Sequence, residues 1–414
     1  MNAHTISGLV AGSGPSHEEV LERFYQRHEW FNLRDAVCKP SSNVAMEFFS
    51  DIRYWFYRGA VACVFNRLRE CRKCFQHVLE LSPQLRQAYQ AHELLSWMHL
   101  RRSDFQQVLR QHDKMLAFRP GNQALLAGWE LFAVLSQYPR QRVSMRGAST
   151  HEYTMHEGNM FIPAKVNGKI FNFMLDSGAS ISFMTESAAR ELDLTFHEVG
   201  PNALKMFGAT GAQTRFCVAL ARRLVIGSLE IFNVPFLVLK NEQFGFTPPY
   251  SAALGLSVLL GLGSLSWSAD RKLLIGLRPR TEKLPPNLCF DEANLVTEVR
   301  YQHRNFLMLL DTGNARSILW PPFARELPDA LSQTGPRGLS HLEGITGVAD
   351  ISNLSLEEIK LEVGGFVATL SPADVLLTTT TPNSNWLSGW LGIDLFNQAH
   401  RISLDFYNMR LTLE

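Results

Sequence analysis

Apolar residues recur at helical spacing over the first third of the chain and in short strand-like runs over the rest. From Ser16 to about Gln137 the pattern predicts helices. After Ser103, for example, Phe105, Val108, Leu109 and Leu116 share one helical face with polar residues between them. Ser16 with Glu19, and Ser103 with Gln106, have the form of capping boxes that begin helices. Residues 137–153 (QYPRQRVSMRGASTHEY) are polar and aperiodic, as a linker would be. The pattern then changes period. Phe161–Val166, Asn167-Gly168 and Lys169–Leu175 predict strand, tight turn and strand, because Asn-Gly supplies the positive φ angles a two-residue hairpin requires. Short β-rich runs punctuated by Gly, Pro and Asn continue from there to residue 414.

Within the helical part, VLELSP at 78–83 aligns with MLAFRP at 115–120. Each is an apolar helix end stopped by proline. This resembles the closing helix of a tetratricopeptide repeat, whose period is about 34 residues, and implies stacked helical hairpins sharing a core. The resemblance covers two units, and an irregular helical bundle is the alternative.

The β-rich part contains a duplication. Asp176–Leu192 aligns without a gap to Asp311–Leu327, with seven of 17 positions identical, including a closing Ala-Arg-Glu-Leu. Each copy follows an apolar strand, Phe171–Leu175 or Phe306–Leu310. Downstream of Asp176 comes Gly208-Ala209-Thr210-Gly211, and at nearly the same remove from Asp311 comes Gly344-Ile345-Thr346-Gly347. Farther on, Leu259-Leu260-Gly261 follows the first aspartate, and Trp390-Leu391-Gly392 follows the second at a similar spacing. A lone Asp-[Ser/Thr]-Gly is weak, since roughly 0.2 copies arise by chance in a chain of this length. Two copies sharing both later features point to two homologous lobes.

Composition narrows the setting. The chain has 414 residues, 46% hydrophobic and 19% charged, with a formal net charge of +1. That length implies two or three domains, and the charge points to no nucleic-acid partner. No apolar stretch has the length and purity of a membrane span, and the first residues lack the form of a signal peptide. The six cysteines show no disulfide framework, so a cytoplasmic setting is expected. Cys71-x-x-Cys74 lacks a second pair at zinc spacing, and His92-Glu93 with His99 lacks the spacing of a zinc peptidase. No metal or cofactor is expected. Trp55, Phe56, Tyr57, Trp97 and Trp129 are expected in the helical core, and Phe244–Tyr250 and Thr378–Asn385 as surface loops before the last element of each lobe, with the border of a substrate subsite as the alternative.

An apolar strand into Asp-[Thr/Ser]-Gly, a glycine-rich hairpin and an apolar-apolar-Gly element resembles the aspartic peptidases, in particular the retropepsin-like group. The resemblance covers about residues 155–414 and implies that Asp176 and Asp311 form a catalytic pair within one chain. It implies that Ser177, Gly178, Thr312 and Gly313 support the two loops. Gly208, Ala209, Thr210, Gly211, Gly344, Ile345, Thr346 and Gly347 would form flaps over the substrate, and Leu260, Gly261, Leu391 and Gly392 would buttress the loops. The family's flap tyrosine is missing, with Phe207 and Leu342 the nearest large residues. Asn314-Ala315 replaces the small-then-hydroxyl pair seen in Ala179-Ser180.

The expected fold is therefore multidomain α+β. A tetratricopeptide-like helical domain (1–140) and a linker (141–154) precede a first all-β lobe (155–278), an inter-lobe linker (279–294) and a second all-β lobe (295–414). The expected function is aspartic endopeptidase activity on a peptide or protein substrate. The helical domain would recruit substrate, regulate the cleft or self-associate, with neither nucleic acid nor membrane as partner. The rival reading is an inactive peptide-binding scaffold with the same fold.

Overall fold

The computed structural model describes residues 16–38, 52–84, 86–243, 250–277, 284–328, 336–378, 380–381 and 385–414. Among these, seven helices come first: α1 His17–Gln26, α2 Trp30–Cys38, α3 Ile52–Val64, α4 Leu68–Leu81, α5 Arg86–Leu100, α6 Phe105–Phe118 and α7 Gln123–Leu135. The first six pack as three hairpins, with α3 also against α5 and α7 closing on α6. Each hairpin turns through a residue in the left-handed region: His28 (φ 57°), Asn66 (φ 59°) and Ser103 (φ 48°). These turns are almost evenly spaced along the chain. The proline-stopped repeat is thus one edge of a repeated hairpin, with a longer period than the tetratricopeptide's.

The Ser16 capping box is formed. The Glu19 N–H donates to Ser16 Oγ (3.2 Å), and the Ser16 N–H donates to Glu19 Oε2 (2.7 Å). The Ser103 box is not. Asp104 is the N-cap of α6 and makes no side-chain capping bond. Ser103 is committed to the hairpin turn, and a left-handed backbone is incompatible with the extended conformation of an N-cap.

Three large sheets follow among the described residues. A nine-stranded sheet belongs to the first lobe and a ten-stranded sheet to the second. The lobes repeat each other in detail. The hairpin Asn159–Val166/Lys169–Leu175 recurs as Asn294–Tyr301/Arg304–Leu310, at the same offset that separates the two aspartates. Asn167 (φ 50°) and Gly168 (φ 98°) form the expected tight turn. The third sheet is shared. Its five strands run Ser149–Glu152, Lys272–Ile275, Ser264–Ser268, Arg401–Asp405, Arg410–Leu413, so its centre joins the end of one lobe to the end of the other.

Both expected linkers contain sheet structure. Arg142–Met145 pairs with Leu229–Phe232, and Ser149–Glu152 pairs with Lys272–Ile275. These are short edge strands with mostly exposed side chains, so they carry no alternation of apolar residues for a sequence to display. Leu288–Asp291, inside the expected inter-lobe linker, is the first strand of the second lobe and pairs with Asn294–Thr297.

The helical part is packed onto both lobes. One buried cluster joins Leu100, Phe105, Leu131 and Phe132 to Met174, Ile181, Phe183 and Phe216 of the first lobe. Another joins Phe56, Tyr57, Phe75 and Met98 to Leu309, Trp320, Leu342 and Trp390 of the second. A polar knot reinforces the second contact. Fully buried Asp291 accepts from Trp30 Nε1 (2.9 Å) and Trp386 Nε1 (2.6 Å), and its Oδ1 lies 2.5 Å from His28 Nδ1. Arg101 stacks over Phe290 at 4.3 Å and donates to the main-chain carbonyls of Glu292 and Cys63.

Candidate active site

Two matching local devices bring Asp176 and Asp311 together. Each aspartate ends an apolar strand, and its N–H donates to a parallel neighbour: Asp176 to Leu254 O (3.1 Å), Asp311 to Leu391 O (3.0 Å). The turn that follows begins with a hydroxyl residue. Ser177 Oγ donates to Leu310 O (2.6 Å) and accepts from the Thr312 N–H (3.0 Å). Thr312 Oγ1 donates to Leu175 O (2.8 Å) and accepts from the Ser177 N–H (3.1 Å). Four buried bonds thus lock the loops across the lobe boundary. A Cβ on Gly178 would stand 2.5 Å from Asp311 Cγ, and one on Gly313 would stand 2.5 Å from Asp176 Cγ. Only glycine lets each loop approach the other's carboxyl so closely.

The two carboxyls have different surroundings. Asp176 Oδ1 accepts from the N–H groups of Gly178 and Ala179, both at 2.9 Å. Asp311 Oδ1 accepts from the Gly313 N–H (3.0 Å), and its Oδ2 accepts from Asn314 Nδ2 (2.5 Å). Burial and the facing charge of Asp311 push Asp176 well above the usual carboxylate range. Burial raises Asp311 as well, but the Asn314 amide and the Gly313 N–H oppose it by stabilising its charged form. Both carboxyls are thus raised, and only Asp311 has a side-chain amide opposing the rise. Asn314 therefore binds the second loop tightly through its side chain, where Ala179 uses only its backbone.

The buttressing elements fall partly where expected. Gly392 follows Gly389–Leu391, which pairs in parallel with Leu309 and Leu310. Its first-lobe counterpart is Ala253-Leu254-Gly255, since Ala253 and Leu254 pair in parallel with Met174 and Leu175. The expected Leu260 and Gly261 lie one step later, in the helix Leu256–Leu262. A run rich in Leu and Gly offers several registers, and only strand pairing selects one. Gly255 and Gly392 each begin a helix, and their N–H groups donate to Ser182 Oγ (3.0 Å) and Ser317 Oγ (2.9 Å). Those serines, set apart by the same offset as the aspartates, escaped the sequence reading. So did Asn159, whose Nδ2 donates across the lobes to Gly313 O (2.7 Å). The signal was present: Glu157-x-Asn159 repeats as Glu292-x-Asn294 at that offset too.

Both glycine-rich segments are hairpin tips. Met206–Phe207 pairs with Gln213–Thr214, and Arg337–Gly344 pairs with Gly347–Leu354. The tips meet: Thr210 Oγ1 lies 3.3 Å from Thr346 Oγ1, and a Cβ on Gly208 would run into that same Thr346 hydroxyl. Ile345 and Ala209 face the cavity beneath, Phe207 is 43% exposed at its rim, and Leu342 is buried where the second lobe meets the helices. Gly211 (φ 80°) packs on the carbonyl of Thr380, and Thr381 lines the cavity, so this part of the 378–385 segment does border it. Residues 244–249 of the other expected loop lie outside the described residues, whereas Tyr250 is buried and donates to His156 O (3.1 Å).

A cavity of about 490 Å³ lies between the dyad and the flap tips. Trp97, expected in the helical core, is one of its walls, together with Leu100, Leu131 and Phe132 of the helical part. Among the described residues, no three His, Cys, Asp or Glu side chains are grouped to hold a metal ion, and no helix is long and apolar enough to cross a membrane.

Residues 162–262 match the family model described as aspartyl protease. No curated protein sequence matches the chain. Among solved structures, a retropepsin-like aspartic protease from Rickettsia conorii is 21% identical, covering 33% of this chain and 92% of its own, with a TM-score of 0.24. The aspartic proteinase from Irpex lacteus is 12% identical over 64% of this chain and 96% of its own, with a TM-score of 0.38. Basic 7S globulin from soybean is 11% identical over 65% and 94%, with a TM-score of 0.37. By its family match and its doubled aspartate loop, the chain is similar to the retropepsin-like aspartic proteases, with a helical region at residues 17–135 preceding the β-rich part.

Proposed function

We propose that this chain is an aspartic endopeptidase that hydrolyses peptide bonds between Asp176 and Asp311. The observation that carries the reading is the reciprocal fit of the two loops, in which each glycine leaves room for the opposite carboxyl and nothing larger. Two carboxyls held this close cannot both ionise, so one stays protonated while its partner is a base. Asp311, whose charged form Asn314 stabilises, takes a proton from a water placed between the carboxyls. That water's oxygen attacks the peptide carbonyl carbon. Asp176 donates its hydrogen bond to the carbonyl oxygen as it becomes an alkoxide, and the pair then delivers a proton to the departing amine. The flap tips, closed over the cavity, exclude bulk water and strengthen both interactions. The helical part, packed on both lobes, would act on substrate selection, on regulation or in self-association.

The test is cleavage of a peptide library from about pH 4 to 8 by the full chain, Asp176→Asn and Asp311→Asn. Cleavage by the native chain alone is expected. Full activity in either variant would sink the dyad. Silence from all three, with peptide binding retained, favours the scaffold reading.

A further inference from the structure

The two halves of the cavity are built on the same plan but filled differently. Strand register makes Ala253 the equivalent of Trp390, since they pair with Met174 and Leu309 respectively. Thr185 is the equivalent of Trp320, each being the N-cap of the helix that follows. On the Asp311 side, two indoles therefore stand where the Asp176 side has a methyl and a hydroxyl. Trp320 and Trp390 pack edge to face at 5.4 Å, and Trp390 Nε1 is held by Arg316 O (2.9 Å). Both are almost fully buried and both line the cavity.

On the Asp176 side the space is open and its first-lobe wall is apolar, formed by Met174, Ile181, Phe183, Phe216 and Leu237. Its outer wall is not from a peptidase lobe at all. Trp97 and Leu100 of α5 and Leu131 and Phe132 of α7 close it. We propose that the helical region completes a specificity pocket on the Asp176 side that takes a large apolar side chain of the substrate, while the Trp320/Trp390 pair limits the Asp311 side to a small one. This rests on the peptidase reading for its use, but on the cavity alone for its shape. Besides the dyad, three charged-type residues border the cavity: Glu292, and exposed Lys205 and Glu343. Glu292 is flanked by Asp291, Glu93 and His28, and burial pushes it up to about 7.

The experiment varies the residues on either side of the cleaved bond, using the full-length native chain, Trp97→Ala, Trp97→Phe and Trp390→Ala. In parallel, equilibrium binding of the same peptides is measured on full-length Asp311→Asn with and without each change, which reads the pocket whether or not the dyad works. Phe, Leu or Met on one side and Ala, Ser or Gly on the other is the expected preference. Trp97→Ala should lose roughly tenfold or more of its discrimination between Phe and Ala peptides, the scale of a truncated apolar pocket. Trp97→Phe should recover most of it, and Trp390→Ala should admit larger residues on the restricted side. Binding with this pattern in the absence of any cleavage supports the pocket and defeats the peptidase reading. Equal binding of Phe and Ala peptides, a preference for Lys or Arg, or an unchanged preference in Trp97→Ala overturns the pocket.

Discussion

Replacing Asn314 by alanine isolates the one strong asymmetry of the dyad. In the native site its amide donates to Asp311 Oδ2 at 2.5 Å, while the Gly313 N–H occupies the other oxygen. A hydrogen bond to a charged group is worth about 1.5–3 kcal/mol, and about 1.36 kcal/mol corresponds to one pKa unit. Losing it entirely would therefore raise the pKa of the ionised carboxyl by about one to two units, and a water replacing the amide would reduce that to roughly one. The bond favours the charged form, so its loss favours protonation. Activity needs one ionised carboxyl, and the acidic limb of kcat/KM must move to higher pH. The assay is the pH profile of kcat/KM on one good peptide, for the native chain and Asn314→Ala, because that limb reports the free protein. Its apparent pKa belongs to the pair, which is the quantity Asn314 is argued to set. The basic limb should move much less. An acidic limb that stays in place, or moves to lower pH, refutes the assignment of the charge to Asp311.

Two further outcomes follow from buried polar contacts. Thr312→Val keeps the shape of the second loop but strands Leu175 O and the Ser177 N–H, each costing about 1–3 kcal/mol when left unpaired in the interior. Urea unfolding should show a loss of about 2–5 kcal/mol, and a loss below about 1 kcal/mol would mean the interlock is not holding the lobes. At His28, burial opposes the charged ring, but the bond to Asp291 and that carboxylate's charge outweigh it and raise the pKa. A raised pKa stabilises the folded state fully below the ordinary value, and the contribution fades as pH climbs through the folded value. His28→Asn, which tolerates the left-handed turn, should therefore be less stable than the native chain by about 1–3 kcal/mol near pH 5.5, with the gap narrowing toward pH 9. A gap independent of pH contradicts a charged His28.

The doubled motif was legible because two facing loops of the same geometry need the same strand, turn and glycine, and the sequence repeats them at a fixed offset. The flap tips were legible for a related reason, since both are glycine-bearing hairpins. What escaped were features whose signal lies in pairing and not in residue type. Leu260-Gly261 looks as good as Leu254-Gly255 until Met174 and Leu175 choose their neighbour. Ser103 looks like a cap until the hairpin demands a left-handed residue there. Arg142–Met145 looks like linker because an edge strand exposed on most positions has no face to hide. Trp97 looks like core, and is half that: an indole on an amphipathic helix faces whatever the tertiary fold brings to it, which here is a cavity.

The shared five-stranded sheet has a consequence for the order in which the molecule matures on the ribosome. Ser264–Ser268 must wait for Arg401–Asp405 as its partner, and the intervening span is nearly the whole second lobe. Pairings so distant along the chain form late, whereas the helical hairpins and the first lobe's local turns can settle during synthesis. The lobes are clamped only after residues 401–413 have emerged, so a nascent chain arrested before them would carry Asp176 and even Asp311 without the frame that aligns the two. Alignment of the two aspartates is then tied to completion of the sheet that joins the lobes, the last event of elongation.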